Sequence, residues 1–453
     1  MAELTIESIR ELFEQKRYGQ IKELFREMIY PDVSALFEEM YEEVTDEKDL
    51  LILFRLLPKD LAAEVFSDVG PDLQQLLVEG FTDRELQEVL EQSFIDDTVD
   101  MIEEMPANIV SRIIKNCDSE SRIAINEILK YPKDSAGSIM TIEYVDLKRD
   151  MTVEDAFTRI RRIGIDKETI YTCYVKDANR RLIGLVSVKT LLLADKKSKI
   201  EDIMEVHPVS VNTHDDREAV ASAFRKYDFL AMPVVDGDER LVGIVTFDDV
   251  IDVIQEENTE DIEKMAAIVP TDKPYLKTGV FETWKKRIPW LMLLMISATF
   301  TGQIIGLYEK KLASQMVLTT FIPMFMDTAG NAGGQASVTI IRGMSLEEIE
   351  FKDWLRVFWK EVRVAILCGL ALAVVNFFKV MLIDRVSMEI ALVVCITMVL
   401  TVMLAKMIGC LLPMLAKKIG FDPAVMASPF ITTIVDALSL VIYFNIAVHL
   451  LGI

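Results

Sequence analysis

Ala424-Val-Met-Ala-Ser-Pro-Phe-Ile-Thr-Thr-Ile-Val-Asp-Ala-Leu-Ser-Leu-Val-Ile-Tyr-Phe-Asn-Ile-Ala-Val-His-Leu-Leu451 decides what kind of protein this chain makes. It is long enough to cross a bilayer as one helix, which takes about 20 apolar residues. Near its middle stands Asp436. A carboxylate at bilayer depth is costly, so it faces a cavity or a partner rather than lipid and marks a functional site by default. Three roles are open on these residues alone: a place on a cation path, a partner for a buried lysine such as Lys406, or an acid that stays protonated.

Outward from this stretch, residues 288–308, 315–341, 362–383 and 390–415 form four more apolar segments, five with 425–451. Basic residues cluster before the first (Lys285, Lys286, Arg287), between the second and third (Arg342, Lys352, Arg356, Lys360, Arg363) and between the fourth and fifth (Lys417, Lys418). The positive-inside rule makes those three loops cytoplasmic, with the N-terminus inside and Ile453 outside. The second segment carries Pro323-Met-Phe-Met-Asp-Thr-Ala-Gly-Asn-Ala-Gly-Gly-Gln-Ala-Ser337. Its glycines permit close helix approach, while Asp327, Asn331 and Gln335 recur every fourth residue and share one helix face. Such a stripe is either interhelical glue or the lining of an aqueous path. Lys406 and Asn376 read as snorkelling or packing residues.

Nearly all of the −23 formal charge lies before residue 288. That part reads as soluble and cytosolic, and it repels nucleic acid. Five scattered cysteines without a C-x-x-C pair, and three histidines, support neither a disulfide framework nor a zinc site. Any metal handled here is expected to be a hard, oxygen-liganded cation. The opening residues MAELTIESIRELFEQ lack the apolar core of a signal peptide.

From about Leu4 to Lys130, short helical segments repeat one theme, as in Leu56-Leu-Pro-Lys-Asp-Leu-Ala-Ala-Glu-Val-Phe66 and Phe94-Ile-Asp-Asp-Thr-Val-Asp-Met-Ile102. Stacked, they predict an all-α superhelical domain over residues 1–130. Asp96 and Asp100 share a helix face and repel unless a cation sits between them; by themselves they also fit a solvated acidic face. Residues 131–255 contain a duplication. Tyr174-Val-Lys-Asp-Ala-Asn-Arg-Arg-Leu-Ile-Gly-Leu-Val-Ser187 returns as Val234-Val-Asp-Gly-Asp-Glu-Arg-Leu-Val-Gly-Ile-Val-Thr246, each preceded and followed by a helical pattern. This tandem β-α-β-β-α unit resembles a pair of CBS domains. The resemblance implies an adenine nucleotide, ATP or another, with an Asp three residues after the Ser/Thr on the ribose. The second copy has that pair (Thr246, Asp249), whereas the first has Ser187 and Thr190. Residues 256–287 read as one connecting helix, acidic at its start and interrupted at Pro270 and Pro274, joining the cytosolic part to the membrane domain of residues 288–453.

The whole chain, region by region, resembles the MgtE family of magnesium channels and transporters. The motifs are Tyr131-Pro-Lys-Asp-Ser-Ala-Gly-Ser-Ile-Met140, Thr259-Glu-Asp-Ile262, Gly330-Asn-Ala-Gly-Gly-Gln335 and Asp422-Pro-Ala followed by Ser428-Pro and Asp436. The resemblance implies a homodimer in the lipid bilayer with a pore at its two-fold axis, Asp436 of both copies holding the ion. Thr432, Ser428 and Asp422 would lie along its path. It implies closure by cytosolic Mg²⁺ on acidic positions between the N domain, the CBS pair and the connecting "plug" helix: Glu64, Asp96, Asp100, Asp216, Glu218, Asp228, Asp249, Asp252, Glu257, Glu260 and Asp261. Mg²⁺ sheds water reluctantly, which suits a hydrated ion held by paired carboxylates.

The expectation is therefore a Mg²⁺ importer and not an enzyme, for no Walker loop, G-x-S-x-G or H-E-x-x-H occurs. The alternatives are an ion-coupled transporter of another divalent ion such as Co²⁺ or Mn²⁺, or a membrane-anchored nucleotide sensor without transport.

Overall fold

The computed structural model describes residues 6–43, 47–271, 275–276, 278–426 and 428–452, with side chains except at 309–314 and 428. Leu4, Pro274 and the side chain of Ser428 lie outside the described residues. Two compact units emerge, Met1–Val253 and Ile254–Ile453.

The first unit opens with ten short helices among the described residues, α1 (Ile6–Glu14) to α10 (Ser119–Ile128). Proline and capping residues cut the chain into these lengths. Pro58 precedes α5 (Lys59–Asp68), Pro71 begins α6 (Pro71–Gly80), Pro106 precedes α9 (Ala107–Asn116), and Thr82 caps α7 (Asp83–Leu90) with Glu85 closing a capping box. Each helix buries one narrow stripe, Val65 and Phe66 on α5, Val99 and Ile102 on α8 (Ile95–Glu104). Helices two apart in sequence pack together, α3 (Tyr30–Glu43) on α5, α5 on α7, α7 on α9, and α6 on α8. That is the stacked superhelix the repeated pattern predicts.

The duplicated stretch forms two small sheets. The first orders β1 (Tyr144–Lys148), β2 (Thr169–Lys176), β3 (Leu182–Ser187) and β4 (Glu205–Val206) side by side; the second orders β5 (Val211–Asn212), β6 (Ala231–Val235) and β7 (Leu241–Thr246). In both, a parallel pair is followed by an antiparallel hairpin, and helices α11 (Val153–Ile163), α12 (Val188–Leu193), α13 (Ile200–Ile203) and α14 (Arg217–Tyr227) complete the two copies. Both hairpins turn on an aspartate whose Oδ1 accepts two backbone N–H bonds, Asp177 from Asn179 and Arg181, Asp236 from Asp238 and Arg240. The repeated glycine has one cause in both copies: a Cβ on Gly184 would come within 2.8 Å of the Glu205 carbonyl, and one on Gly243 within 2.7 Å of the Thr141 carbonyl. The helical repeats and the second copy share one core, in which Ile95, Val99 and Ile102 join Met232, Val245 and Val250.

Helix α15 (Phe247–Met265) follows β7 and ends ahead of Pro270, so the connecting segment is not a single helix; α16 begins at Val280, within the stretch expected to be the connector. Among its described residues the second unit holds five long helices: α16 (Val280–Leu312), α17 (Ile322–Ser345), α18 (Trp354–Lys379), α19 (Met388–Lys418) and α20 (Ser428–Leu451). Among the described residues four spans, 280–308, 351–384, 388–418 and 423–451, are long and apolar enough to cross a membrane. Helix α17 is the exception. It is long enough, about 36 Å at 1.5 Å per residue, but its polar stripe and glycines dilute its apolar character. The apolar start expected at residue 315 belongs to a separate 3₁₀ turn, Ala313–Phe321, kinked at Gln315.

Contacts fix the directions of these helices. Gly333 and Ala336 of α17 meet Gly409 of α19, and the Lys417 ammonium reaches the Met344 carbonyl, so α17 and α19 run parallel. The Phe325 ring lies tilted against that of Tyr443, whose hydroxyl donates to the Leu318 carbonyl, while Gly330 meets Asp436, so α20 is antiparallel to both.

Candidate functional site

Glycine seats Asp436. A Cβ on Gly330 would lie 2.9 Å from Thr432 Cγ2 and 3.9 Å from Asp436 Oδ1, and one on Gly333 would lie 2.9 Å from Ile431 Cγ2. Only a bare backbone lets α20 come this close to α17. The structure thereby brings Thr432, Asp436 and the Gly-Asn-Ala-Gly-Gly motif together. Asp436 Oδ1 is buried and has no hydrogen-bond partner among the described residues. The Thr432 hydroxyl turns back to the Pro429 carbonyl at 2.9 Å. On α17, Asp327, Asn331 and Gln335 are all exposed in the single chain, with the Asn331 amide donating to Asp327 at 3.2 Å. Lys406 is not the partner of Asp436. It is buried 3.9 Å from Glu361 of α18, an ion pair inside the bundle rather than a snorkelling cation.

Asp422, expected near the ion path, makes two other contacts. Its Oδ2 accepts from the Lys264 ammonium at 2.7 Å, and its Oδ1 accepts the Ala424 N–H at 2.8 Å. Lys264 also pairs with Glu260 at 2.5 Å, so the end of α15 is tied to the segment entering α20. Met265 packs beside Ile340, Ile341 and Met414 in the same region. Glu257 and Asp261 lie on this half of α15, both half-buried.

A second concentration of carboxylates lies within the first unit, where the start of α8 meets the start of α15 and the first copy of the duplication. Asp96 is 6% exposed. Its pKa is pushed well up by burial, then by Asp249, Asp97, Glu168 and Glu143. Burial followed by Asp248 and Asp249 raises Glu168 to about 8. Asp249 rises to about 6, chiefly through burial, although the Thr246 hydroxyl donates to it at 2.5 Å. Asp97 opens to solvent yet is crowded enough by protein to lose hydration, and it too is raised, with Asp248 and Asp68 adding to the effect. Burial also raises Asp252, again with Asp248 and Asp68. Burial raises Glu143 as well, offset in part by the Thr141 hydroxyl and, to a lesser extent, by Lys167. Among the described residues no three acids or His/Cys side chains converge closely enough to hold one ion by themselves.

The remaining expected positions fall at several places. Glu64 and Asp100 are exposed on α5 and α8. Asp216 caps α14 (Arg217–Tyr227), its Oδ1 accepting the Glu218 N–H at 2.8 Å. Asp228 closes that helix in the left-handed region, φ 54°, and lines a cavity. That cavity, about 630 Å³, lies among Tyr171, Ser187, Lys189, Leu192, Asp228 and Phe229. It is on the Ser187 side, whereas Thr246 and Asp249, the expected nucleotide pair, bond to each other and face Asp96. Sequence reasoning missed Asp97, Asp248, Glu143 and Glu168. The duplication carries a usable signal for two of them, because strand register matches Asp248 with Lys189 and Thr169, beside Glu168, with Asp228.

Comparison with known proteins gives three matches along the chain: an MgtE intracellular N domain at residues 42–134, CBS domains at 136–197 and 200–256, and the MgtE divalent cation transporter domain at 322–446. The magnesium transporter MgtE of Thermus thermophilus is 35% identical over 412 residues, 90% of this chain and 91% of that one. The magnesium transporter MgtE of Enterococcus faecalis is 36% identical over 332 residues, 73% of this chain and 72% of its own. Among solved structures, the cytosolic domain of the Mg²⁺ channel MgtE in complex with ATP superposes with a TM-score of 0.51 at 35% identity. It covers 55% of this chain and all of that domain.

Proposed function

The chain belongs to the MgtE family of divalent cation transporters, and from that membership we propose that it is a Mg²⁺-selective channel that imports the ion into the cytosol and is closed by cytosolic Mg²⁺. The observation that carries the reading is Asp436: a carboxylate oxygen buried against glycine in an apolar bundle, with no protein donor among the described residues. Such a group is a ligand for a passing cation or a large unrelieved cost. The exposed stripe of Asp327, Asn331 and Gln335 supports a water-filled path between two copies of the chain, since lipid is a poor neighbour for it. The pore then lies at the axis of a homodimer, with Asp436, Thr432 and Ser428 of each copy along it. The N-terminal part is cytosolic and the C-terminus outside. Cytosolic residues 1–130, 131–255 and 256–287 act as sensor and connector for the pore of residues 288–453.

Closure follows from the carboxylates. Docking α8 against α15 crowds Asp96, Asp97, Asp248, Asp249 and Glu168 together, which a divalent cation relieves. Carboxylate oxygen is the donor Mg²⁺ takes, and Mg²⁺ keeps several of its waters, so pairs of acids suffice. Asp96 with Asp249 is one such pair. Glu64, Asp100, Asp216, Glu218, Asp228, Asp252, Glu257, Glu260 and Asp261 supply the wider acidic surface, and Glu260 and Asp422 converge on Lys264. The cavity beside Ser187 has the volume of a small-molecule site; with Tyr171, Phe229 and Lys189 it suits ATP or another adenine nucleotide.

The test is Mg²⁺ uptake into proteoliposomes by wild type beside Asp436→Ala, with Mg²⁺ on the two faces varied separately. Uptake by the wild type, driven by membrane potential and suppressed by Mg²⁺ on the side of the soluble domains, and absent in the variant, supports the reading. Equal uptake by both would move the ion path away from Asp436. A requirement for a proton or sodium gradient would make the protein a coupled transporter.

A further inference from the structure

Helix α18 uses one face for packing and leaves the opposite one open. Glu361, Gly369 and Ala373 of its buried face meet Lys406, Val399 and Cys395 of α19. On the other side Arg356, Trp359, Lys360 and Arg363 are all exposed. Helical spacing continues that stripe through Leu367, Leu370, Val374 and Phe378, which are exposed as well. The stripe therefore has two parts. Residues 356–363, about 10 Å of helix, carry three cations, and residues 367–378, about 17 Å, are apolar. One leaflet's half of the hydrocarbon core is about 15 Å thick. A cationic end joined to an apolar run of that length matches the outline of one lipid molecule.

The cations are placed to receive an anion. Arg356 reaches Asp353 only at 3.7 Å, and Glu361 is turned to the buried face beside Lys406. Among the described residues Lys360 and the terminal nitrogens of Arg363 meet no acid. Arg363 Nε donates back to the Trp359 carbonyl at 3.2 Å, which turns its guanidinium toward the start of the helix, the direction in which a cation reaches from apolar depth to the headgroups. Trp359 is exposed in the same turn, and tryptophan is enriched at that level.

We propose that this face binds one anionic lipid of the cytosolic leaflet, its phosphate held by Arg356, Lys360 and Arg363 and an acyl chain lying along Leu367, Leu370 and Val374. This rests on the membrane reading of the second unit and on its cytosolic orientation. The cytosolic leaflet is the negative one, and the guanidinium fork fits phosphate oxygens. A second copy of the chain is the poorer occupant, because a two-fold contact through this face would set its three cations against the same three.

The test uses the full chain in detergent, with native mass spectrometry counting phosphatidylglycerol or phosphatidylcholine retained per chain during titration. The wild type is expected to bind phosphatidylglycerol at least about tenfold more tightly than phosphatidylcholine. Lys360→Gln/Arg363→Gln is expected to weaken phosphatidylglycerol about thirtyfold, each cation near an anionic surface contributing about fivefold. Lys285→Gln/Arg287→Gln removes the same charge from exposed positions of α16 and is expected to leave binding unchanged. Equal losses in the two variants would mean diffuse attraction to the bilayer surface and overturn the site. It also falls if the wild type shows no preference, if inorganic phosphate displaces the lipid, or if Lys360→Gln/Arg363→Gln shifts the elution volume on gel filtration, which would make the face a contact between copies. Wild type that retains phosphatidylglycerol as stated but carries no Mg²⁺ in proteoliposomes leaves the site standing and sinks the transport reading; Mg²⁺ uptake without lipid preference does the reverse.

Discussion

The two units set carboxylates in opposite company. In the second, Asp436 stands among apolar side chains and glycine without a cationic partner among the described residues, and its nearest polar surroundings are a threonine and an exposed stripe of Asp327, Asn331 and Gln335. In the first, acids face acids: Asp96, Asp97, Asp248, Asp249 and Glu168 crowd one another. An isolated charge in an apolar bundle is defined by what it lacks, so it suits an ion in transit. A crowd of like charges is defined by mutual repulsion, so its assembly reports whatever neutralises it. On the proposed reading the same functional group serves conduction in one unit and sensing in the other, and the difference lies in the neighbours.

Loss of the lone acid has the largest expected effect. Asp436→Ala is expected to cut Mg²⁺ uptake at least about tenfold with the elution volume on gel filtration unchanged, whereas Glu168→Gln leaves the open-state uptake unchanged. If Glu168→Gln also abolished uptake, the division of labour would fail. Next comes the packing that seats the acid. A Cβ on Gly409 would fall 2.3 Å from the Gly333 carbonyl, so Gly409→Ala is expected to destabilise the membrane unit by about 1–3 kcal/mol. A lowered melting temperature in detergent would show it.

The crowd of acids has a pH signature. Glu168 is raised from 4.5 to about 8 and Asp249 from 3.8 to about 6. The folded state therefore holds protons that the unfolded state has released, and stability falls as pH rises between these values. In chelator, the melting temperature of the wild type is expected to drop from about pH 5 to about pH 8, and less steeply for Glu168→Gln. Added Mg²⁺ is expected to flatten the wild-type slope, and a slope indifferent to both changes would refute mutual repulsion. The smallest effect is a control at neither site. Thr82→Ala removes the cap of α7 and is expected to cost about 1 kcal/mol in the first unit without altering uptake or its Mg²⁺ dependence.

Much of this was legible before any coordinates. Apolar run length, the four-residue recurrence of Asp327, Asn331 and Gln335, the duplicated hairpin with its Asp and Gly, and the Pro-punctuated helices are all local features, encoded within a few turns or a few strands of chain. Their family likeness carried the rest of the outline. The acids were less legible. Asp422 and Asp216 entered the expected ion sites through the family resemblance alone, yet Asp422 is bound by Lys264, 158 residues away, and Asp216 caps a helix. Lys406 looked like a snorkelling cation until α18 placed Glu361 beside it.

Sequence by itself determined the kinds of parts: a stacked-helix domain, a duplicated α/β pair, a set of long apolar helices, and an acid inside the last of them. Only the tertiary structure decided which acids share a space, that α15 ends at Met265, and that the cavity lies beside Ser187 rather than Thr246. The reason is one of range. Periodicity and capping act between residues close along the chain, whereas desolvation and charge repulsion depend on which distant elements are brought together, and no local pattern records that.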